Sequence, residues 1–537
     1  MTRLIFVLLF ICMLEISLQK SRVEDDSYVA AVVEFEVTEN SSVALNKYVQ
    51  YIKNAAEQNA DIIVFPEMTL LRKLEIVKVP IKGLLREYPI PALHPDLYDE
   101  PIVAISRAAR DNKIYVVINV QEEMDCNNAP GEFCPEKNVY RFNTNVVFDR
   151  TGAVIDRYRK INLFAEWSRF PALRPELGLF DTDFGVRFGH FICFDLMFQV
   201  PAIQVVEKNN ITDVVFSTMW FSEIPYLTAV QIQEAYAYTM NVNFLASGAN
   251  NIAVGTAGSG IYSGKAGALI SVMPGVPTTR LLVARVPKVP GKVSGKYPGP
   301  IYDNPTDKDD LFLLKDPSLL TRISKILTPG FQEINLVDKE VSCKITGRIK
   351  QKDGENIPQY RAFVQDRSNT YAKRKIGVAA CAVVACKDND INSCPYRFSK
   401  DELNVEFEEL RIEMTTYRHQ YNQSLDCDDV VYFPNSIRNN KFPLSSNNFT
   451  FLDSTQNGAR NTNGGRGRVI YELKSRQNEL VSFGIWGRIY TKDVNTIGEV
   501  TEEDLNHYNE IENIIYGTKN KNEDVYTVDK LVVGVHS

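Results

Sequence analysis

Three residues with chemically useful side chains each follow a strand-like run of the sequence. Glu67 ends the run DIIVFPE, Lys160 follows a predicted hairpin in RYRKINLF, and Cys193 lies near the end of VRFGHFICF. In α/β sheets, ligands and catalytic groups gather beyond the carboxyl ends of strands. We therefore expect the carboxylate, the ammonium and the thiol to converge at one edge of a sheet.

A carboxylate, an ammonium and a thiol together support nucleophilic acyl transfer. The thiol of Cys193 attacks as the thiolate, and Glu67 can take its proton and return it to the leaving group. Lys160 favours the thiolate and stabilises the oxyanion of the tetrahedral intermediate. The trio predicts hydrolysis of an amide through a thioester on Cys193, with no metal and no organic cofactor.

Each of the three residues also has a plain structural interpretation. Glu67, which follows a proline, fits a solvated loop acid, and Lys160 fits a surface cation. Cys193 in a secreted chain would ordinarily be half of a disulfide, and in an apolar strand it could be an inert core thiol. The catalytic interpretation gains weight only when the three residues are taken together with the sequence around them.

A cysteine–histidine protease is an alternative enzyme class. The chain has five histidines, and His190 lies three residues before Cys193. An odd spacing along a strand places two side chains on opposite faces, so His190 is expected to be a packed strand residue and not a base. No His, Cys and acid spacing of a zinc motif occurs, so no metal site is expected.

The N-terminal half alternates strand-like and helix-like runs. DIIVFPE and IYVVINVQE are predicted strands, and YRFNTNVVFDRTGAVIDRYRK is a predicted hairpin. A helix is predicted within residues 41–60, where apolar residues recur at helical spacing: Leu45, Val49, Ile52 and Ala56. The alternation predicts an α/β catalytic domain over residues 23–290, with a mixed sheet because of the hairpin.

The composition changes near Val289. Residues 291–320 are rich in proline, glycine and charge, which predicts a linker or a long surface loop. Beyond them lie short strand-like runs, most of the cysteines and polar loops. Residues 321–537 are therefore predicted to form a β-rich domain joined by disulfides.

The N-terminus has the pattern of a secretory signal peptide over residues 1–20. Arg3 precedes an apolar run from Leu4 to Met13, which is short for a transmembrane helix. No later stretch predicts a transmembrane segment, and the C-terminal tail is shorter than the roughly 10–20 apolar residues of a lipid-anchor signal. A secreted protein without a lipid anchor is predicted. Four glycosylation triplets agree with secretion, at Asn40, Asn210, Asn422 and Asn448.

The chain has nine cysteines, of which Cys12 would leave with the signal peptide. Cys126 and Cys134 flank the short loop CNNAPGEFC and are predicted to form a local disulfide. If Cys193 is a free nucleophile, one further thiol must be unpaired or cross-linked. A second disulfide group of open connectivity is predicted among Cys343, Cys381, Cys386, Cys394 and Cys427.

Length and charge narrow the function classes. A chain of 537 residues is too long for one ordinary core, so at least two domains are expected. The net charge is -7 and no long basic run occurs, so a nucleic-acid partner is not expected. The expected partner is a small-molecule amide substrate, and the oligomeric state is left open.

Several sequence blocks occur in one order along the chain. DIIVFPE is followed by the cysteine-flanked loop CNNAPGEFC, by FDRTGAVIDRYRKINLFAE, by GVRFGHFICFDLMF, and then by STMWFSEIPYLTAVQIQEAYAYTMNVNFLASGAN and GSGIYSGKAG. Together they resemble the nitrilase (carbon–nitrogen hydrolase) superfamily. They resemble specifically its biotinidase/vanin (pantetheinase) branch, including the vanin-like proteins of invertebrates.

The resemblance implies an α-β-β-α sandwich as the catalytic domain, followed by a β-rich C-terminal domain of the vanin type. It implies that Glu67 is the proton acceptor, Lys160 the proton donor and oxyanion stabiliser, and Cys193 the nucleophile. Glu166 matches a second acid that often lies near the catalytic lysine.

The implied reaction is hydrolysis of a linear amide, as in pantetheine giving pantothenate and cysteamine. Biotinyl amides giving biotin are the alternative substrates. A different alternative is a secreted scaffold or binding protein that keeps the fold without turnover.

The chain departs from the family pattern close to the expected substrate site. Met68 and Thr69 stand where the family usually has an acidic residue and then small ones, and the chain from Leu71 to Pro101 is short for the branch. The three residues of the implied triad are all present despite these departures. The departures therefore bear on the identity of the substrate.

Overall fold

The computed structural model describes residues 20–71, 75–80, 88–302, 309–351, 357–398, 402, 404–454 and 466–494. The predicted signal peptide lies outside the described residues except for Lys20. The elements of the N-terminal part are β1 (Ser27–Glu36), α1 (Ser41–Glu57), β2 (Ile62–Val64), α2 (Glu100–Asn112), β3 (Tyr115–Asp125), β4 (Val139–Phe148), β5 (Val154–Arg159), β6 (Gly178–Asp181), β7 (Arg187–Ile192), α3 (Gln204–Asn209), β8 (Asp213–Thr218), β9 (Glu223–Ile224), α4 (Ala229–Met240), β10 (Asn243–Asn250), β11 (Ser259–Ser263), β12 (Ala268–Val272), β13 (Arg280–Pro287), β14 (Gly299–Pro300) and β15 (Leu314–Lys315).

Most of these strands form two halves of one large sheet. The first half runs in the order β5–β4–β3–β2–β1–β13, and the second in the order β6–β7–β8–β10–β11–β12–β14. They join where Phe35 and Glu36 of β1 pair with Ala249 and Asn250 of β10. The β3–β4–β5 pairings are antiparallel and the β1–β2–β3 pairings parallel, so the sheet is mixed as predicted.

Three apolar cores define the layers of this domain. Alternate residues of β1 point to opposite faces: Tyr28 packs between the two sheet halves, whereas Val29 packs toward α1 and α2. The outer face of the second half packs with α3 and α4, as at Phe191 and Tyr236. The order helix, sheet, sheet, helix is the α-β-β-α sandwich that the sequence resemblance implied.

The buried stripe of α1 differs from the predicted one. The buried residues are Ala44, Tyr48, Ile52 and Ala55, so only Ile52 of the predicted stripe lies fully inside. The helix is rotated because Tyr48 turns inward: its ring stacks on Phe65 at a centroid distance of 3.9 Å. Its hydroxyl forms a 2.6 Å hydrogen bond with that of Thr69, which allows a polar tip to be buried.

The C-terminal part is a sandwich of two antiparallel sheets around one core. Its sheet orders are β16–β19–β20–β27–β24 and β17–β18–β21–β26–β25, and a disulfide between Cys343 and Cys381 joins β18 of one sheet to β20 of the other. Its strands are β16 (Ile323–Leu327), β17 (Gly330–Asp338), β18 (Val341–Gln351), β19 (Gln359–Tyr371), β20 (Arg374–Cys386), β21 (Val405–Thr416), β22 (Tyr421–Asn422), β23 (Cys427–Asp428), β24 (Val430–Arg438), β25 (Phe449–Asp453), β26 (Gly467–Leu473) and β27 (Leu480–Ile489).

The predicted linker, residues 291–320, packs against the N-terminal domain where it is described. Its strand β14 pairs with β12, and its strand β15 pairs with β9, so that Leu314 lies opposite Glu223. The face of β20 and β27 opposite the sandwich core packs near α4 in a shared core that includes Ala380 and Trp486. The two domains are therefore in direct contact. Among the described residues, no helix is both long and apolar enough to cross a membrane.

Candidate active site

Glu67 lies in a buried turn after β2. The next residue, Met68, has a φ of +56°, and its N–H donates to Asn119 Oδ1 at 2.9 Å. A left-handed conformation is unfavourable for a residue with a Cβ, so the surrounding structure must hold it. The turn directs the carboxylate of Glu67 inward, where the residue is only 2% exposed.

Lys160 follows the last residue of β5, and its side chain contacts two carboxylates. Its Nζ donates to Glu67 Oε1 at 2.8 Å and to Glu166 Oε1 at 2.5 Å. Its backbone N–H donates to the carbonyl of Asn143, which continues the pairing between β4 and β5. The structure therefore brings Glu67, Lys160 and Glu166 together in one buried cluster.

Further donors bond the two carboxylates, among them the backbone N–H of Phe164, which donates to Glu166 Oε1 at 3.5 Å. Asn143 Nδ2 donates to Glu67 Oε1 at 2.7 Å and to Glu166 Oε2 at 2.9 Å. The backbone N–H of Met219, just beyond β8, donates to Glu67 Oε2 at 2.9 Å. Buried charges are tolerated when they are paired and hydrogen-bonded, and both carboxylates meet that condition.

Cys193 lies in a turn and not within the strand that its sequence predicted. β7 ends at Ile192, and Cys193 has a φ of +46° at the start of a 3₁₀ helix, Cys193–Met197. Asp195 causes the strand to end here, because its Oδ2 accepts the N–H of Ile192 at 3.2 Å. The turn carries the thiol to the sheet edge, where its Sγ donates to the carbonyl of Met219 at 3.5 Å.

Asp195 is held from several elements. Its Oδ2 accepts the hydroxyl of Tyr158 at 2.7 Å, and its Oδ1 accepts the N–H and the Nδ2 of Asn162 at 2.8 and 2.9 Å. Burial raises the pKa of Asp195 to about 6, against the hydrogen bonds that favour its charged form. Arg374 of the C-terminal domain donates to Asn162 Oδ1 at 2.8 Å, so both domains support the cysteine turn.

Lys160 and Glu166 form a charged pair at neutral pH. Burial by itself lowers the pKa of Lys160, but Glu166, Glu67 and Cys193 outweigh it and raise that pKa well above 10.5. Burial likewise raises the pKa of Glu166, whereas Lys160 and Arg169 hold it below 4.5. Lys160 is therefore a fixed positive charge that does not release its proton near neutral pH.

The thiol of Cys193 is protonated at rest. Burial and then the charge of Glu67 raise its pKa above the ordinary 9.0, and Lys160 only partly opposes them. Attack by sulfur therefore requires a base that takes the proton as the bond forms. Glu67 is placed for this role, because the backbone of Met219 bonds both groups: its N–H donates to Glu67 Oε2 at 2.9 Å, and its carbonyl accepts from Cys193 Sγ at 3.5 Å.

A small, mostly apolar pocket opens beside Cys193. Two of its lining residues lie beyond residues 23–290 of the predicted catalytic domain: Leu314 in β15 and Tyr371 in β19. Its other apolar walls are Phe164, Phe194, Met197, Trp220, Phe221 and Leu227. Such a pocket suits the aliphatic part of a small substrate.

His190 is not part of this site. It is fully buried, and its Nε2 lies 2.7 Å from Asp156 Oδ2 in a separate pair. The described residues contain no group of three or more His, Cys, Asp or Glu side chains that could hold a metal ion.

Several residues of the site were absent from the sequence predictions. Asn143 had a usable signal, since it begins a run of three polar residues, Asn143 to Asn145, inside a predicted strand. Asp195 had another, as an acid two residues after the candidate nucleophile. Tyr371 had no local signal, because only the packing of the two domains brings it to the pocket.

The remaining cysteines and glycosylation candidates lie away from the pocket. Asn40 is exposed and caps α1, with its Oδ1 accepting the N–H of Val43, and Asn210 is exposed after α3. Asn422 and Asn448 are partly buried. The structure has disulfides between Cys126 and Cys134, Cys343 and Cys381, and Cys386 and Cys394, and it leaves Cys193 and Cys427 as buried free thiols among the described residues.

Comparison with known proteins gives two family matches. A family model described as carbon–nitrogen hydrolase matches residues 29–263, and one described as vanin C-terminal domain matches residues 312–493. Vanin-like protein 2 of Drosophila melanogaster is 34% identical over 529 residues, which cover 93% of this chain and 96% of the relative.

More distant relatives extend the comparison. Pantetheinase of Sus scrofa is 26% identical, with coverage of 90% of this chain and 92% of the relative. Biotinidase of Takifugu rubripes is 29% identical, with coverage of 77% and 89%. The crystal structure of an amidase from Nesterenkonia sp. has a TM-score of 0.37 at 16% identity and covers 50% of this chain and 93% of that chain.

Proposed function

The chain belongs to the vanin branch of the carbon–nitrogen hydrolases and hydrolyses carbon–nitrogen bonds in amides, and we propose from that premise that its substrate is pantetheine. Hydrolysis would give pantothenate and cysteamine. The relatives named pantetheinase, which match over most of their length, support this choice of substrate.

We propose Glu67, Lys160 and Cys193 as the catalytic triad. The observation that carries the proposal is the shared position of Glu67, which accepts from Lys160 Nζ at 2.8 Å and from the backbone N–H of Met219 at 2.9 Å. The carbonyl of the same Met219 accepts from Cys193 Sγ at 3.5 Å, so one carboxylate contacts the cation and lies one residue's backbone away from the nucleophile. Glu166 is a positioning residue that holds Lys160 from the other side.

In the first half-reaction, Glu67 takes the thiol proton as Cys193 Sγ bonds to the amide carbonyl carbon. Lys160 stabilises the negative charge that develops on the carbonyl oxygen. The carbon–nitrogen bond then breaks, and the leaving amine takes the proton from Glu67. The product of this step is a thioester on Cys193.

In the second half-reaction, water attacks the thioester carbonyl while Glu67 accepts a proton from it. The carbon–sulfur bond breaks, and the sulfur regains a proton through Glu67. The acid is released, and Glu67 and Cys193 return to their starting protonation states, so no net oxidation or reduction occurs.

Biotinyl amides are the second candidate substrates. The match to a relative named biotinidase favours them, and the same triad would serve either acyl group. Met68 and Thr69, which depart from the family pattern, follow Glu67 directly but are not among the residues that line the pocket.

We further propose that the protein is secreted after removal of residues 1–20, with a catalytic domain over residues 23–290, a connecting segment over 291–320 and a C-terminal domain over 321–537. The glycosylation candidates Asn40 and Asn210, both exposed, support passage through the secretory pathway. Expression in insect cells should give a glycosylated protein in the medium, and mass spectrometry should locate its new N-terminus. Retention of the intact N-terminus inside the cell would contradict secretion.

The substrate proposal is tested with pantetheine, biocytin and simple aliphatic amides. Wild-type protein should release cysteamine from pantetheine with a higher kcat/KM than for the other two. Cys193→Ser should lower kcat at least about 1,000-fold, because the nucleophile is lost. Cys427→Ser removes the other buried free thiol and is the matched control, with activity expected within about 2-fold of wild type.

Two outcomes would overturn these assignments separately. If Cys193→Ser hydrolyses pantetheine at the wild-type rate, the proposed catalytic triad is wrong. Preference for biocytin over pantetheine would leave the triad in place and assign the chain to biotinyl amides.

A further inference from the structure

Cys193 begins a segment, residues 193–200, whose backbone needs support from outside. The φ of Cys193 is +46°, in the left-handed region that is unfavourable for a residue with a Cβ. The 3₁₀ helix that follows, Cys193–Met197, has only five residues. Such a conformation persists only where surrounding contacts hold it. The contacts that hold residues 193–200 therefore control where the sulfur lies.

The side chain of Asn162 bonds this segment at two points. Its Nδ2 donates to Asp195 Oδ1 and to the carbonyl of Val200, both at 2.9 Å. Asp195 in turn accepts the N–H of Ile192, the residue before the nucleophile, at 3.2 Å. Because Asn162 comes two residues after Lys160, it ties the lysine segment to the cysteine segment.

Arg374, the first residue of β20 in the C-terminal domain, orients the amide of Asn162. Its Nη1 donates to Asn162 Oδ1 at 2.8 Å, across 212 residues of sequence, and its guanidinium lies 4.5 Å from the ring centre of Phe198. A guanidinium has only donors, so it selects the oxygen of the amide. The amide nitrogen of Asn162 is thereby directed to Asp195 and Val200.

Arg488 in β27 holds the other end of the 3₁₀ helix. It is only 1% exposed, and its Nε donates to the carbonyl of Met197 at 2.9 Å. The guanidinium is itself fixed by Asp493, whose carboxylate oxygens lie 2.7 and 2.9 Å from Nη2, and by the carbonyl of Gly377. The C-terminal domain therefore sets the position of Arg488 and presents its Nε to the catalytic domain.

We propose that Arg374 and Arg488 are positioning residues for Cys193, so that the C-terminal domain holds the nucleophile in its reactive position. The inference rests on the proposed triad and adds a requirement for the docked C-terminal domain. Neither arginine is among the residues that line the pocket, so both act through the cysteine segment. Loss of either contact lets that segment relax and displaces the sulfur, and a displacement of about 1 Å can lower a rate about 100-fold.

Kinetics with pantetheine tests the effect on catalysis. Arg374→Met removes the guanidinium and keeps an unbranched side chain over Phe198. It should lower kcat about 10- to 100-fold and change KM less than about 3-fold, because the pocket walls remain. Arg374→Lys keeps a cationic donor and should have a kcat at least about 3-fold above that of Arg374→Met.

Arg488→Lys gives a second, independent variant. It keeps a positive charge beside Asp493 but loses the planar group that also reaches Met197, so kcat should fall about 10-fold at similar KM. Values of kcat within about 2-fold of wild type in both Arg374→Met and Arg488→Lys would overturn the proposal.

Hydrogen exchange measured by mass spectrometry tests the structural step without a substrate. Peptides that cover residues 193–200 should exchange at least about 10-fold faster in Arg374→Met than in wild type, whereas peptides from β1 should keep the wild-type rate. Unchanged exchange at residues 193–200 would overturn the positioning role. Equally faster exchange in both peptides would also overturn it, since that pattern indicates loss of global stability.

Arg361→Met is the matched control. Arg361 is also a half-buried arginine of the C-terminal domain, but it donates to Ser324 Oγ at 3.1 Å and to the carbonyl of Asn389 at 2.7 Å, both within that domain. Its kcat, KM and exchange pattern should equal those of wild type. Failure of the proposed function would appear differently, as no release of cysteamine by wild type or as full activity of Cys193→Ser, and the exchange measurement would still test the two arginines.

Discussion

Lys160 Nζ lies 2.8 Å from Glu67 Oε1, although 93 residues separate the two in the chain. Both side chains are almost fully buried, and Lys160 also contacts Glu166. The cluster holds two carboxylates beside one ammonium, and Asn143 and the backbone N–H groups of Met219 and Phe164 supply further donors. The structure thus places a fixed cation next to the carboxylate that we propose as the base.

Replacement of Lys160 by alanine should lower stability as well as activity. The change leaves the buried carboxylates of Glu67 and Glu166 without their shared cation, so the free energy of unfolding should fall by about 3–5 kcal/mol. Urea unfolding at pH 7 measures it. The control is Lys53→Ala, which removes an exposed pair with Glu57 at 3.9 Å and should change stability by at most about 1 kcal/mol. Equal losses in both variants would show that the Lys160 cluster does not stabilise the fold.

Glu67→Gln should separate the charge of Glu67 from its role as a base. Because that charge raises the pKa of Cys193, the variant's thiol should ionise at a lower pH than the wild-type thiol. The pH dependence of alkylation, measured in a Cys427→Ser background, reports this shift. Amide turnover should nevertheless fall at least about 100-fold, since the base is gone. A thiol pKa that is unchanged or raised would contradict the contact between the two residues.

Asn143→Ala should lower kcat more than it changes KM. Asn143 contacts Glu67 and Glu166 but does not line the pocket, so its loss disturbs the positions of the acids and not the binding of substrate. We expect kcat to fall about 10- to 100-fold. Steady-state kinetics with pantetheine gives the two constants. Asn112→Ala, which removes a hydrogen bond at the end of α2, should alter neither.

Asp195 should contribute a pH dependence to stability with a defined sign. Its pKa is about 6 in the folded protein and 3.8 ordinarily, so the folded state binds the proton more tightly. The resulting contribution is fully present below pH 3.8 and is lost as the pH rises through 6, by up to about 3 kcal/mol.

Asp195→Asn removes the titrating group and tests that sign. The stability difference between wild type and variant should decrease between pH 4 and pH 7, as measured by urea unfolding at several pH values. The exposed Asp96 gives the control, because Asp96→Asn should leave the pH profile of wild type unchanged. A difference that grows with pH would show that Asp195 is stabilised in its charged form instead.

The sequence predicted the fold class and the positions of Glu67 and Lys160 because local patterns and the family resemblance point to them. A strand-length apolar run ends just before Glu67, a predicted hairpin ends just before Lys160, and ordered blocks resemble one superfamily. The predictions from local patterns were wrong where a side chain makes a contact that its residue type does not indicate. The stripe of α1 was misplaced because Tyr48 can bury its ring while its hydroxyl bonds Thr69. The strand through Cys193 was predicted too long because Asp195 takes the backbone N–H of Ile192.

The sequence by itself determined which chemical groups the protein has and at which strand ends they occur, since side-chain periodicity and turn residues act over a few positions. Only the tertiary structure decided their distances. The pair of Glu67 with Met219 spans 152 residues, and that of Glu223 with Tyr371 spans 148. Such contacts depend on how sheets pair and how the two domains pack. Hydrophobic burial brings these distant segments together, and the sequence near each residue does not indicate which distant segment it will contact.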